Sequence, residues 1–547
     1  MSKRFFVSSC KVNMMRSAEV EGNLVDVVSG TIYPSRLSIV DGLVADVRRL
    51  AGDRDRYILP GLIDAHIHIE SSLLSPTRFA QAVVAHGTTA VVSDPHEIAN
   101  VLGMEGIRYM LQEAERAPLR IYLTAPSCVP AVPGQDFGAR LGWKEVREML
   151  SSDRFVALGE VMDFKEVLRD SPEIMAKIEV ARELGKPIDG HAPGLRGKSL
   201  GIYVQAGIVS DHECTTTEEA EEKHRLGMTI MVREGSASRD MHALMSFARR
   251  NEFLLVTDDM DAADLVKGHL DRLLSKAVGE GMDPMHAVRA ATLWPAKHYG
   301  LMGGAIVEGG VADLTVVRDL TRFEVLGTWI SGERVAEQRK ASFSIPPSKP
   351  GVAILAQKVM AEDLAIEHLG PLAQVSYQEA LPDKIIGGEG TIDMEVVNGE
   401  VQPCVIEDIL LLAVVNRYVR RKPILGLVKG FALKSGAIAS SVAHDAHNLI
   451  GVGTGKEELA AALNLVIFEG GGYAACAGES SCTLPLPIAG LMSDLPCGLV
   501  AEMDERIRRF VADMGCKLPA PFMTLSFQDP SFRRAVMVEG LNNIEGA

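Results

Sequence analysis

The sequence predicts an α/β protein: a (β/α)8 TIM barrel with a small flanking β-sandwich domain and a C-terminal α+β domain. Three observations support this prediction. Short β-like runs with turn signals occur on both sides of a long central region. The central region alternates apolar runs with amphipathic helical patterns, which is typical of parallel β/α folds. A proline-rich stretch at 344–351 then precedes a third region of mixed pattern.

The small β-domain is predicted from two separate parts of the chain, 1–58 and 301–343. In the first part, β-like runs flank Asp41-Gly42, a dipeptide that is typical of two-residue hairpins. Runs of the same texture return in the second part. We therefore expect one β-sandwich that is assembled from both sides of an inserted domain.

The inserted domain is predicted over 59–300, because about 240 residues is the usual size of an eightfold barrel. Helical patterns separate its strand candidates. One of them begins at Ser171-Pro172 and ends at Gly185, which are typical helix start and stop signals. The remaining residues, 352–547, are predicted to form the C-terminal α+β domain.

Composition and charge restrict the possible partners. The 547 residues include 56 Lys and Arg and 72 Asp and Glu, a formal net charge of −16. So acidic a chain repels phosphate backbones and anionic lipid, and we expect neither nucleic acid nor a membrane as a partner. The eight cysteines include no CxxC pair, which favours a cytoplasmic protein. We expect a small-molecule substrate and a homo-oligomer, a dimer or larger.

The first candidate metal ligands are His66 and His68 in the run ILPGLIDAHIHIE. At this spacing on a strand both imidazoles project from the same face. On a barrel's first strand that face is the interior, near the carboxyl end where active sites lie. A bare HxH is more often a pair of solvated histidines. The flanking PGLIDAH resembles the first strand of amidohydrolases and favours the metal interpretation.

Further metal-competent side chains directly follow later apolar runs, in an order that fits successive barrel strands. Any one of them is more often structural. Their recurrence at the ends of different strands predicts a common site, because the carboxyl ends of barrel strands meet at one face. These residues are Glu160, His191, His212 and Asp258.

Several longer segments resemble the adenine deaminase family of amidohydrolases. They include DPHEIANVLG in the barrel and SVAHDAHN in the C-terminal region, which other amidohydrolases lack. The resemblance implies hydrolytic deamination of adenine to hypoxanthine and ammonia by a metal-activated hydroxide, in purine salvage. Another deaminase or a cyclic-amide hydrolase on the same barrel is the alternative, and a catalytically inactive scaffold is a more remote one.

The resemblance also implies two divalent metal ions, manganese or iron, although imidazole and carboxylate ligands suit zinc as well. His66 and His68 would hold one ion, and the two later histidines the other. Glu160 would bridge the ions, in the place where many amidohydrolases use a carboxylated lysine. The complete predicted ligand set is His66, His68, Glu160, His191, His212 and Asp258.

The remaining candidates concern catalysis and purine binding. Asp258 is expected to take a proton from the nucleophile and pass it to the substrate, and Glu160 and Glu213 complete the catalytic set. For each proposed purine contact in the barrel, support of the metal ligands is an equally good interpretation. The proposed purine contacts are Asp94, His96, Glu97, Arg233, Glu234, Ser236 and His447.

The C-terminal candidate, His447, belongs to a dense polar cluster in SSVAHDAHN. Such a cluster is costly to bury without partners. It either ties the C-terminal domain to itself or reaches over the barrel mouth and closes the active site. We expect the second, because added loops commonly cover barrel mouths and exclude water.

Overall fold

The computed structural model describes residues 17–130, 137–236, 238–351, 354–381 and 387–529. The chain begins with four strands of one sheet. Asp41 and Gly42 both have positive φ and join the second and third strands, as the hairpin dipeptide predicts. These strands are β1 Ser17–Asp26, β2 Thr31–Val40, β3 Leu43–Arg49 and β4 Tyr57–Pro60.

Eight parallel strands follow and form the barrel, as the alternating pattern of the central region predicts. The first two are buried along their whole length, as expected for strands covered on both faces. The strands are β5 Leu62–Ile67, β6 Thr88–Ser93, β7 Arg120–Ala125, β8 Phe155–Val161, β9 Ile188–Gly190, β10 Ser210–Asp211, β11 Thr229–Arg233 and β12 Leu254–Val256.

Backbone hydrogen bonds close the barrel at two places. Strands β5 to β9 form one parallel ladder and β10 to β12 another. Val209 N donates to Ile188 O at 2.9 Å and joins the two ladders. At the seam, Asp258 N donates to His66 O at 3.0 Å and His68 N donates to Asp258 O at 3.1 Å. The closing seam therefore runs through three predicted metal ligands.

Helices surround the barrel strands. Helix α6 begins at Pro172, as the sequence predicts, and α1 likewise begins with a proline, Pro76, after the capping side chain of Ser75. The helices are α1 Pro76–Val83, α2 His96–Leu102, α3 Met104–Arg116, α4 Trp143–Leu150, α5 Phe164–Leu168, α6 Pro172–Glu183, α7 Gly197–Gln205, α8 Thr217–Arg225, α9 Met241–Ala248, α10 Ala262–Leu265, α11 Leu270–Gly279, α12 Pro284–Ala290 and α13 Leu293–Tyr299.

The chain then returns to the first sheet. Strand β4 pairs with β1 on one side and with the first returning strand on the other, giving a single sheet of eight strands. A bridge between Leu43 and Val311 folds this sheet over its own apolar core. The returning strands are β13 Leu314–Val317, β14 Val325–Ile330, β15 Glu333–Glu337 and β16 Lys340–Ala341.

In its described residues, the C-terminal region is a nine-stranded sheet with three α-helices, an α+β arrangement. Its strands are β17 Leu372–Glu379, β18 Glu389–Val397, β19 Glu400–Val401, β20 Leu410–Val415, β21 Ile424–Lys429, β22 Ala437–Ser440, β23 Leu449–Gly453, β24 Gly472–Ala477 and β25 Ser480–Pro485. Its helices are α14 Lys456–Phe468, α15 Cys497–Asp513 and α16 Pro521–Ser526.

The C-terminal region packs directly on the barrel. Ser493 N donates to Leu73 O at 2.7 Å and Ser75 N donates to Ser493 O at 3.2 Å, so the backbone after β25 pairs with the loop after β5. Met492 and Leu74 belong to one continuous apolar core that both regions share. This packing brings C-terminal loops to the barrel mouth. Among the described residues, the helices lack the combination of length and apolar composition needed to span a bilayer.

Candidate active site

The six predicted ligands lie together at the carboxyl ends of the barrel strands, with Glu160 at their centre. Its Oε1 is 3.4 Å from His68 Nε2, while its Oε2 is 2.7 Å from His191 Nδ1. The same Oε2 is 3.1 Å from His212 Nε2. The carboxylate of Glu160 therefore stands between the histidines of β5 and those that follow β9 and β10.

Asp258 lies on the β5 side of this group. Its Oδ1 is 3.4 Å from His66 Nε2 and 3.3 Å from His68 Nε2. The backbone φ of Asp258 is 58°, in the left-handed region that Asp tolerates better than most residues. The seam hydrogen bonds hold this conformation, so the side chain points at the histidines.

The chemistry of these donors fits divalent metal ions. His66 Nε2 is buried and, within the described residues, makes no hydrogen bond. His68 Nδ1 lies 3.1 Å from Asp94 O, which fixes the proton on Nδ1 and leaves the Nε2 lone pair directed into the cluster. These imidazole and carboxylate donors form overlapping groups of three, with the ligand atoms of each group within 4.8 Å of one another, and such groups could hold two ions.

The carboxylates of the cluster are in their ionised form. Burial alone would raise the pKa of Glu160, but the adjacent His191 and His212 outweigh it and hold the pKa well below its usual range. Burial would likewise raise the pKa of Asp258, but the adjacent imidazoles of His66 and His68 outweigh it and hold the pKa well below normal. Ionised carboxylates are the form that binds a cation.

Arg233, at the end of β11, joins two of the predicted catalytic carboxylates. Its Nη1 lies 3.2 Å from Asp258 Oδ2 and also contacts Glu213, while its Nε donates to Asp240 at 2.6 Å. Glu213 Oε1 lies 3.4 Å from His212 Nε2. The arginine therefore holds both carboxylates at the edge of the ligand group.

Asp94 follows β6 and forms a hydrogen bond with the backbone of Glu160. Its Oδ2 accepts a hydrogen bond from Glu160 N at 3.2 Å. A Cβ at position 159 would lie 2.4 Å from that oxygen, so Gly159 is required for this close approach. The other oxygen of Asp94, Oδ1, lies 3.6 Å from His96 Nδ1. His96 thus stands between the ligand group and Glu97, whose Oε1 is 3.5 Å from His96 Nε2.

Glu97 connects the barrel mouth with the C-terminal domain. His444 Nδ1 lies 3.0 Å from Glu97 Oε1, and His447 Nε2 contacts Glu97 Oε2. Burial would raise the pKa of Glu97, but the adjacent His444 and His447 outweigh it and hold the pKa well below normal. The loop 443–448 therefore covers the mouth beside the ligand group.

Two predicted purine contacts lie away from this group. Glu234 is paired with Lys276 of α11. Ser236 Oγ donates to Asp264 Oδ2 at 2.9 Å and accepts from Asp261 N. Their contacts are therefore with α11 in the one case and with α10 and the residue before it in the other.

Sequence reasoning left two residues of the site out. His444 is in the SVAHDAHN cluster, but nothing in its spacing indicated which histidine would reach the barrel. Asp259 follows Asp258 in TDD, and its Oδ1 accepts a hydrogen bond from Ser71 Oγ at 2.5 Å. Burial, together with the adjacent charge of Asp258, raises the pKa of Asp259. The doubled aspartate was the available signal for the second residue.

Comparison with known proteins identifies the relatives of this chain. Residues 57–335 match the amidohydrolase family, and residues 384–530 match the adenine deaminase C-terminal domain. An adenine deaminase of Methanosphaera stadtmanae is 42% identical over 511 residues, covering 93% of this chain and 94% of that protein. One of Methanothermobacter thermautotrophicus is 44% identical over 514 residues, with 93% and 94% covered. A third, from Salinibacter ruber, is 41% identical over 518 residues and covers 94% of each chain. The identity extends through the barrel and the C-terminal domain alike, and the chain belongs to the adenine deaminase family of amidohydrolases.

Proposed function

We propose that this protein catalyses the hydrolytic deamination of adenine to hypoxanthine and ammonia at the ligand group described above. One observation carries the proposal: Glu160 stands between two histidine pairs in a barrel of the adenine deaminase family. We assign His66 and His68 to one divalent ion and His191 and His212 to the other, with Glu160 shared between them. Manganese or iron is the proposed metal.

Metal ions bound there would supply an acidified water, whose pKa falls from 15.7 toward about 7. The protein's own residues then manage the protons. Asp258 is ionised and adjoins His66 and His68, so it is placed to accept a proton and return it to the departing amine. Arg233 Nη1 lies 3.2 Å from Asp258 Oδ2 and so keeps Oδ1 directed at the two histidines.

Purine recognition is assigned to the carboxylates at the mouth. Asp94 and Glu97 are buried next to the ligand group, and His96 lies between them. Carboxyl and imidazole groups can exchange hydrogen bonds with the ring nitrogens of a purine. The loop 443–448 closes over this corner and excludes water, which favours a bare base over a nucleoside. The contacts of Glu234 and Ser236 favour a supporting role for them.

A purine panel tests the proposal. Manganese-loaded protein is incubated separately with adenine, adenosine, cytosine and a cyclic amide, and ammonia release or ring opening is measured. Adenine should be the preferred substrate by kcat/KM. If adenosine matches adenine, or if only the pyrimidine or the cyclic amide reacts, the assignment of adenine is wrong.

The cellular compartment of the enzyme is inferred from its cysteines. The seven cysteines among the described residues are all unpaired, and most are buried. Unpaired thiols persist where the compartment is reducing. We infer a cytoplasmic enzyme that acts on a free small molecule. A homo-oligomeric state stays a prediction.

A further inference from the structure

A buried lysine contacts the two loops that carry the second histidine pair, His191 and His212. Lys223, on α8, has a side chain with no solvent exposure. Its Nζ donates to Asp211 Oδ2 at 2.9 Å, to Glu219 Oε1 at 2.7 Å and to Ala192 O at 2.7 Å. All three protons of the ammonium are therefore used, two of them on buried carboxylates.

These partners join the two loops that carry His191 and His212. Asp211 Oδ1 accepts from Ala192 N at 2.9 Å, and its Oδ2 accepts from Glu213 N at 3.0 Å. Ala192 directly follows His191, and Asp211 and Glu213 directly flank His212.

Glu219 connects Lys223 to a second residue of the loop that carries His191, because its Oε1 also accepts a hydrogen bond from Gly194 N at 2.9 Å. The network therefore includes the residues on both sides of His212. It also includes backbone groups of Ala192 and Gly194, just after His191. Removing the ammonium from such a network is costly, because both carboxylates are then buried without an opposite charge.

We propose that Lys223 is the positioning residue for the second metal-binding pair, His191 and His212, and sets the spacing between the two loops. The inference rests on the ligand set of the proposed function. The effect should be confined to this pair, because the hydrogen bonds of Lys223 among the described residues reach neither β5 nor its histidines. Groups that orient metal ligands in this way typically contribute about 10- to 100-fold to metal affinity or activity.

The test measures metal binding by the full-length apoprotein. Mn²⁺ is titrated against a competing chelator, and the number and affinity of bound ions are determined for the wild type, Lys223→Met and Arg120→Met. Arg120→Met is the matched control, because Arg120 also pairs with a buried carboxylate, Asp313, but at the amino end of the barrel strands.

Lys223→Met should bind one ion with wild-type affinity and the other about 10- to 100-fold more weakly. Its kcat should recover at saturating Mn²⁺, because the defect is one of metal retention. Arg120→Met should bind both ions normally even if its melting temperature falls equally. If Lys223→Met retains two ions at wild-type affinity, or if both ions weaken equally, the proposal is overturned.

A second variant covers the case in which Lys223→Met does not fold. Glu219→Leu leaves the neutral pair of Lys223 and Asp211 in place, yet removes the acceptor for Gly194 N. This variant should also bind one Mn²⁺ ion at least severalfold more weakly and the other with wild-type affinity. Wild-type affinity for both ions would overturn the proposal. A wild-type protein that binds fewer than two ions, or binds two without deaminating adenine, would instead refute the proposed function.

Discussion

The imidazole of His447 contacts the carboxylate of Glu97, although 350 positions separate the two residues. Ala443 N donates to His447 Nδ1 at 3.3 Å, so the ring proton is on Nε2 and is donated to Glu97. A residue of the C-terminal domain thereby holds a carboxylate of the barrel mouth. The same tautomer argues against a metal ion on His447, because both ring nitrogens are already engaged.

This contact predicts the behaviour of His447→Ala. A hydrogen bond to a charged group is worth about 1.5–3 kcal/mol, so turnover should fall about 10- to 100-fold if Glu97 loses its position. His447→Gln, whose amide can donate from a similar place, should retain much of the activity. Steady-state kinetics and melting temperature are measured together. An alanine variant that melts several degrees earlier yet turns over normally in the cold would make His447 a structural tie only.

Asp258→Asn should lower kcat far more than it weakens adenine binding. An amide cannot accept the proton, and loss of a positioned acid–base group typically costs about 10²–10⁴-fold in rate. Because Asp258 is also a proposed ligand, metal content is measured on the same preparation. Near-normal turnover by a fully metallated Asp258→Asn protein would remove this residue from proton transfer.

Removal of metal should abolish deamination reversibly. Dialysis against a chelator should leave an inactive protein, because the histidines and carboxylates around Glu160 have no other source of an acidified water. Activity should return in proportion to added Mn²⁺ and level off at two equivalents per chain, as followed by elemental analysis. Full activity in the metal-free protein would contradict the binuclear site, and saturation at one equivalent would reduce it to a single ion.

Arg417→Met should destabilise the C-terminal domain. The guanidinium of Arg417 is fully buried and donates to Ala489 O at 2.7 Å and to His447 O at 3.0 Å. Leaving buried carbonyls without a donor costs about 1–3 kcal/mol each, so the free energy of unfolding should fall by about 2–6 kcal/mol. Urea unfolding followed by circular dichroism provides the measurement. An unchanged midpoint would mean that the loop at His447 is held by its other contacts.

Much of the fold was predictable because its signals are local. The helix starting at Pro172 and the hairpin at Asp41-Gly42 depend on neighbouring residues only, and both occur in the structure. The predicted strand-end residues also meet, since parallel barrel strands bring their carboxyl ends to one face. The roles assigned to them as metal ligands and purine contacts stay predictions until the experiments above are done.

By itself the sequence determined the fold class, the family and the kind of side chains gathered at the barrel mouth, because strand periodicity and ligand order are properties of short segments. Only the tertiary structure decided which partners the mouth residues have. Glu234 pairs with Lys276 of α11, and His447 contacts Glu97. The network around Lys223 was equally hidden, since a lysine on an acidic helix reads as a solvated charge until packing buries it. These contacts form between loops that are far apart in the sequence, so no local sequence pattern predicts them.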